Sequence, residues 1–160
     1  MEIMESFLVG AGGILAGLIL GSPASRRLFH VFRHRKLLLA QGKIKLVIVV
    51  RTDLAMTTGK VAAQCAHASV ISYLNAEKKS PELCKLWLNT GQQKVVVRCD
   101  GSGEAALLNY VKMAKSKGII TSTVTDAGHT QVPSGTLTVA GIGPGPESLI
   151  NEVTGKLRVY

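Results

Sequence analysis

Thr57-Thr58-Gly59-Lys60-Val61-Ala62-Ala63-Gln64-Cys65-Ala66-His67-Ala68 is the stretch whose reading decides the fold. It follows an apolar run, Leu46 to Val50, and a polar step, Arg51-Thr52-Asp53. The order reads as strand, loop and helix N-terminus. A hydroxyl of Thr57 or Thr58 can accept from the exposed N–H groups of the first turn. Ala62, Ala63, Ala66 and Ala68 favour the helix. Lys60, Gln64 and His67 stand at i, i+4 and i+7, so they project from one face. Spacing alone leaves two readings open, a functional face or the solvated stripe of an ordinary amphipathic helix.

Working outward, Ile44 to Val50 is β-rich and apolar apart from Lys45, and predicts a strand buried on both faces from Leu46 onward. The helix is expected to reach about Lys79. Ser80-Pro81 breaks it, and proline at a first turn starts a short second helix, Glu82 to Asn89, ended by Gly91. Trp87 reads as core or helix packing, with a base-stacking platform as the sharper alternative. Lys94 to Cys99 predicts the second strand. Ser102 is placed to cap a helix from Gly103 to Lys117, whose stripe is Ala106, Leu107, Tyr110, Val111 and Ala114. Ile119 to Thr125 predicts the third strand, Asp126 to Gly135 a polar loop, and Thr136 to Ile142 the fourth strand. Gly143-Pro144-Gly145-Pro146 predicts a hard turn before a short helix, Glu147 to Val153, and a last strand or tail, Leu157 to Tyr160. Strands and helices alternate, so the class is α/β, with a small sheet covered by helices on both faces.

The chain has 160 residues and a formal charge of +9. From Lys43 onward, fourteen Lys and Arg face eight Asp and Glu, a net of +6. That excess favours a polyanionic partner, although a soluble lysine-rich surface has the same signature. The three cysteines, Cys65, Cys84 and Cys99, are odd in number and lack metal-ligand spacing. They read as reduced thiols rather than a disulfide frame.

Phe7 to Gly21 is an uncharged apolar run, extendable through Ala24. It is short for a membrane span. A secretory signal would want a positive start, but Met1 to Ser6 carries Glu2 and Glu5 and no cation. The cations Arg26, Arg27, Arg33, Arg35 and Lys36 follow the run instead, which orients the C-terminal side toward the cytosol. Gly13, Gly17 and Gly21 share one helix face, where two membrane helices could approach closely. The expected organisation is a membrane-anchor helix over 1–25, a basic juxtamembrane linker over 26–42 and a globular domain over 43–160.

Gly59-Lys60 is not a P-loop, because Leu54 stands where the first glycine belongs and Val61 follows the lysine. A helix N-terminus carrying a lysine can still hold a phosphate or a developing oxyanion. The second informative stretch is Asp126-Ala127-Gly128-His129-Thr130-Gln131-Val132-Pro133-Ser134-Gly135-Thr136-Leu137-Thr138-Val139. It puts a carboxylate, an imidazole and hydroxyls beyond a strand's C-terminal end, where open α/β sheets bind ligands. Turn chemistry explains part of the same composition. No metal cluster is apparent, and no cofactor is expected.

Four pieces in order carry a family likeness. They are Arg51-Thr-Asp53-Leu-Ala-Met56, Gly59-Lys60-x-Ala-Ala-Gln64-x-x-His67-Ala, Asp126-Ala-Gly-x-Thr130-Gln131, and Thr138-Val-x-x-Ile-Gly143-Pro144. From about Lys43 to Tyr160 the chain resembles the archaeal and eukaryotic, second-class, peptidyl-tRNA hydrolases. The N-terminus is similar to the mitochondrial, membrane-anchored animal members of that family. The resemblance implies a small mixed four-stranded sheet between helix layers, often a homodimer, and hydrolysis of the ester linking a peptide to the 3′ end of tRNA. Carried over by motif, the catalytic set is Lys60, Gln64, Asp126, Thr130 and Thr138. His67, Lys85, Lys112, Lys115, Lys117, His129 and Gln131 are expected to hold substrate at the 3′ end and acceptor stem. His129 stands where some relatives have arginine, which makes that contact pH-dependent. The lysines near 115 also suit a helix C-terminus on dipole grounds alone. The expected location is the mitochondrial outer membrane, which a short anchor followed by cations suits, with the domain facing the cytosol; the endoplasmic reticulum is the other membrane the sequence allows. The rival reading is a membrane-tethered adaptor for protein partners in cell-death or adhesion signalling.

Overall fold

The computed structural model describes residues 43–128 and 131–160. The expected anchor, the basic linker and the residues His129 and Thr130 lie outside them. Among the described residues no helix is long and apolar enough to cross a membrane. Eight elements follow one another: β1 (Ile44–Val50), α1 (Thr58–Lys79), α2 (Pro81–Asn89), β2 (Lys94–Arg98), α3 (Gly103–Ser116), β3 (Thr121–Thr125), β4 (Leu137–Pro146) and α4 (Glu147–Thr154). The sheet is mixed, in the order β2-β1-β4-β3. β2 runs parallel to β1, and β4 runs antiparallel to both β1 and β3.

β1 is buried along its whole length, as a central strand with two covered faces must be. Its single charge is not wasted. Lys45 donates to Glu147 Oε1 at 3.1 Å and Asn151 Oδ1 at 2.8 Å, which clasps α4 to the sheet. Val47 and Val49 join Leu107, Val111 and Ala114 of α3 and Ile150 and Val153 of α4 in one core. Alternation turns Leu46, Ile48 and Val50 to the opposite face, toward α1. On that face Ala68, Ser72 and Ala76 are buried at every fourth position of α1. Ser72 and Ser122 hydrogen-bond at 2.7 Å across Gly141. A Cβ at Gly141 would collide with both hydroxyls, so glycine sets how closely α1 lies on β4.

Three local expectations change. Gly143 to Pro146 is the end of β4 rather than a turn, with Gly145 opposite Lys45 and Pro146 opposite Ile44. β3 pairs with β4 only as far as Thr121 and Ile142, so Pro144 sits where β4 has one ladder left. The Gly143-Pro144 bond is cis, and Gly143 has φ +114°, with Lys45 O 2.7 Å from where a Cβ would stand. Neither Thr57 nor Ser102 caps through its side chain. Asp53 Oδ2 accepts from Gly103 N–H at 3.1 Å instead, and caps α3 from the loop after β1. Residues beyond Leu157 neither form a full strand nor trail free. Val159 bridges Val97, and Tyr160 N–H donates to Val96 O at 2.9 Å. Trp87 is 2% exposed and donates to Gln93 O, so it is core and not a stacking platform.

Candidate active site

The fourfold stripe that seats α1 on the sheet turns polar at its N-terminal end. Below Ala68 the next positions are Gln64 and Lys60, and they face the end of β3. On β3, Ser122, Val124 and, just beyond, Asp126 alternate toward α1. Ser122 Oγ lies 3.4 Å from Ala68 O, which fixes the register between helix and strand. That register brings Asp126 to Gln64 and Lys60.

Asp126 is 6% exposed and accepts on both carboxylate oxygens. Gln64 Nε2 donates to Oδ2 at 2.8 Å, and Lys60 Nζ pairs with the same oxygen. Gly128 N–H donates to Oδ1 at 2.7 Å. Thr138 Oγ1 lies 2.6 Å from Gln64 Oε1 and 3.2 Å from Val124 O. A carboxylate only accepts, so Asp126 requires the amide nitrogen to face it, and the Thr138 hydroxyl then donates to the amide oxygen. Gln64 and Thr138, 5% and 0% exposed, therefore hold one orientation of the Asp126 carboxylate.

These groups close one end of a cleft of about 600 Å³ between α1 and β3. Its walls are Ala63, His67, Val70 and Ile71 from the helix, and Thr123, Val124, Thr125 and Ala127 from the strand side. Apolar walls with charge gathered at one end suit a substrate of mixed character. Burial pushes the Cys65, Cys84 and Cys99 thiols above their ordinary values, so none is a ready thiolate nucleophile.

The residues expected from sequence distribute as follows. Lys60, Gln64, Asp126 and Thr138 meet, and His67 is exposed on the same wall. Gln131 uses both ends of its amide on Thr57, accepting from the backbone N–H and donating to Oγ1, each at 2.9 Å. It ties the loop before α1 to the loop after β3. Lys85 is exposed on α2, beside α1. Lys112 and Lys115 are exposed on α3, in the layer across the sheet from the cleft. Lys117, next to them, pairs with Glu152 at 2.6 Å. Ala63, Val70, Ile71 and Thr123 were not anticipated. Ile71 could have been found, because it continues the Lys60, Gln64, His67 stripe by one more turn.

A profile of the family described as "Peptidyl-tRNA hydrolase PTH2" matches residues 44–160. The chain belongs to the PTH2 peptidyl-tRNA hydrolase family. It is 49% identical over 119 residues to the Mus musculus protein named "Peptidyl-tRNA hydrolase 2, mitochondrial", which is 74% of this chain and 65% of the relative. It is 48% identical over 124 residues to "Probable peptidyl-tRNA hydrolase 2" of Schizosaccharomyces pombe, 78% of this chain and 60% of the relative. Its similarity to the "Peptidyl-tRNA hydrolase" of Staphylothermus marinus is 46% over 122 residues, 76% of this chain and 99% of that one. The chain thus spans under two thirds of these eukaryotic relatives and nearly all of the archaeal one. In the PTH2 domain, the four residues that meet come from α1, β4 and the loop after β3.

Proposed function

We propose that the chain hydrolyses the ester bond of peptidyl-tRNA, releasing the peptide and free tRNA. The observation that carries this reading is the convergence of Lys60 and Gln64 on one oxygen of Asp126 at the end of an apolar-walled cleft. Relatives named peptidyl-tRNA hydrolase supply the substrate class. Ester hydrolysis needs an oriented water and a cation or donor for the oxyanion. Asp126 positions the water, which attacks the ester carbonyl carbon. The carbonyl electron pair moves to oxygen, beside the Lys60 ammonium. Collapse re-forms the carbonyl and expels the oxygen of the 3′-terminal ribose, which leaves with the proton that the attacking water gives up. Gln64 and Thr138 are positioning residues that keep the carboxylate aimed. Thr130 remains a proposed catalytic residue from the family likeness, His67 and His129 proposed substrate contacts, and Lys85, exposed beside α1, a proposed tRNA contact. An adaptor would have no use for so closely satisfied a polar cluster.

Release of peptide from peptidyl-tRNA by the purified chain tests the reading, and absence of release overturns it. Lys60→Ala is expected to lower kcat by about 10²–10³-fold, the usual cost of an oxyanion donor. A loss of tRNA affinity alone would assign Lys60 to phosphate binding instead. Asp126→Asn at full kcat would remove Asp126 from the chemistry.

The apolar run Phe7 to Gly21 with its basic flank, and the mammalian relatives named mitochondrial, support a tether at the mitochondrial outer membrane with the domain toward the cytosol. Carbonate extraction should leave the full chain in membranes and release a chain starting at Lys43. Equal release of both would end the tether proposal.

A further inference from the structure

β3 is the outer strand of the sheet, and its free edge forms one lip of the cleft. Antiparallel pairing turns backbone groups alternately toward and away from the partner strand. Gly143 N–H donates to Ile120 O at 2.8 Å and Asp126 N–H to Thr136 O at 2.9 Å, so even-numbered residues face β4. Thr121, Thr123 and Thr125 therefore turn their N–H and C=O outward. Thr121 O is already taken by Asn75 Nδ2 at 3.1 Å. Thr123 and Thr125 are exposed, and no described residue pairs with their outward backbone groups. The strip is thus closed at one end by Asn75 and opens at the other onto Asp126.

We propose that this strip binds the peptide part of the substrate as a short added strand. The inference rests on the hydrolase reading, because the ester at Asp126 fixes where the peptide ends. A peptide whose C-terminal carbonyl lies at Asp126 and which continues along the lip runs parallel to β3. In a parallel pair, a residue opposite Val124 donates its N–H to Thr123 C=O and accepts from Thr125 N–H. At about 3.3 Å per residue that is the third residue from the ester, roughly 7 Å from it. Side chains on one face of the added strand meet Ala63, Val70 and Ile71, a wall without a charge to select among them. Main-chain pairing reads no sequence, which suits a substrate whose peptide can be anything. Opposite Ser122, the fifth residue can still accept from Thr123 N–H, but Asn75 holds Thr121 O, so beyond the fifth residue the strip offers little.

The test uses the full 160-residue chain and a series of substrates. N-acetyl-aminoacyl-tRNA and di-, tri- and pentapeptidyl-tRNA are compared by kcat/KM, with N-methyl groups placed singly at the second or third residue from the ester. Expected is a rise of about tenfold by three residues, the scale of one or two net hydrogen bonds, and a smaller further rise of about two- to tenfold at five, one more bond. N-methylation at the third residue should remove that gain. At the second, whose N–H points away from β3, it should change turnover less than about twofold. Equal turnover at all lengths, or sensitivity at the second residue and not the third, overturns the added strand while leaving hydrolysis standing. No release from any substrate overturns both.

Discussion

At the scale of single residues, the site depends on one hydroxyl that never needs to reach the substrate. Thr138 holds Gln64, and Gln64 holds Asp126. Thr138→Val keeps the shape but leaves the buried Gln64 oxygen without its donor, at a cost of about 1–3 kcal/mol. The expected signature is a lower unfolding free energy in urea together with a fall in kcat, while Thr138→Ser restores both. Lys60, Gln64 and Asp126 were legible because polar groups in helical register and a carboxylate after a strand are visible in one dimension. Gln131 was expected to hold substrate, and the structure shows instead a link between two loops. Nothing in the sequence says that its amide is occupied by Thr57.

At the scale of elements, the strands and helices could be read from period and propensity, and the errors fell at their ends. Neither hydroxyl caps its helix: Thr57 Oγ1 accepts from Gln131 instead, and α3 is capped from far along the chain. Asp53 serves α3 while also accepting from buried Arg51, at 3.1 and 2.6 Å. The hydrogen bond from Arg51 holds its carboxyl below the ordinary value, with the Gly103 N–H adding to this against desolvation. A depressed carboxylate stabilises the fold above its ordinary pKa of about 4, and that stability disappears as pH falls through the folded value. Asp53→Asn should therefore lower the unfolding free energy by about 1–3 kcal/mol at pH 7. It should also flatten the loss of stability below pH ~4, which denaturant titrations at several pH values would show. The end of β4 was misread because Gly-Pro-Gly-Pro is turn-like in isolation. Only the early end of β3 gives Pro144 a place in a sheet. Gly141→Ala should destabilise by about 1–3 kcal/mol through overpacking. Adding Ser72→Ala and Ser122→Ala should recover part of that loss, since the colliding hydroxyls are then gone.

At the scale of the whole molecule, the net charge of +9 overstates what is available to an RNA. Lys45, Arg51, Lys60 and Lys117 are each paired with a carboxylate. Among the described residues the exposed helix lysines lie on both helix layers, Lys85 on one and Lys112 and Lys115 on the other, and only one layer carries the cleft. Affinity for tRNA should fall with salt, and removing one phosphate contact should lower the slope by about one. Lys85→Ala, on the cleft layer, is expected to do so, whereas Lys112→Ala and Lys115→Ala on the far layer leave the slope unchanged. Filter binding across a salt series distinguishes them. The sheet order carries a consequence for biosynthesis. β4, late in the chain, lies between the first strand and the third. As the polypeptide leaves the ribosome, the edge of β1 that pairs with β4 must wait for residues 137–146, and one of its apolar faces also waits for α4. Until then the growing chain offers a sticky segment to chaperones and to its neighbours. No partial product can work either, because Thr138 arrives with that same strand. A chain terminated after Gly135 should be recovered in the insoluble fraction of a translation reaction, with no graded intermediate between inactive fragment and active fold.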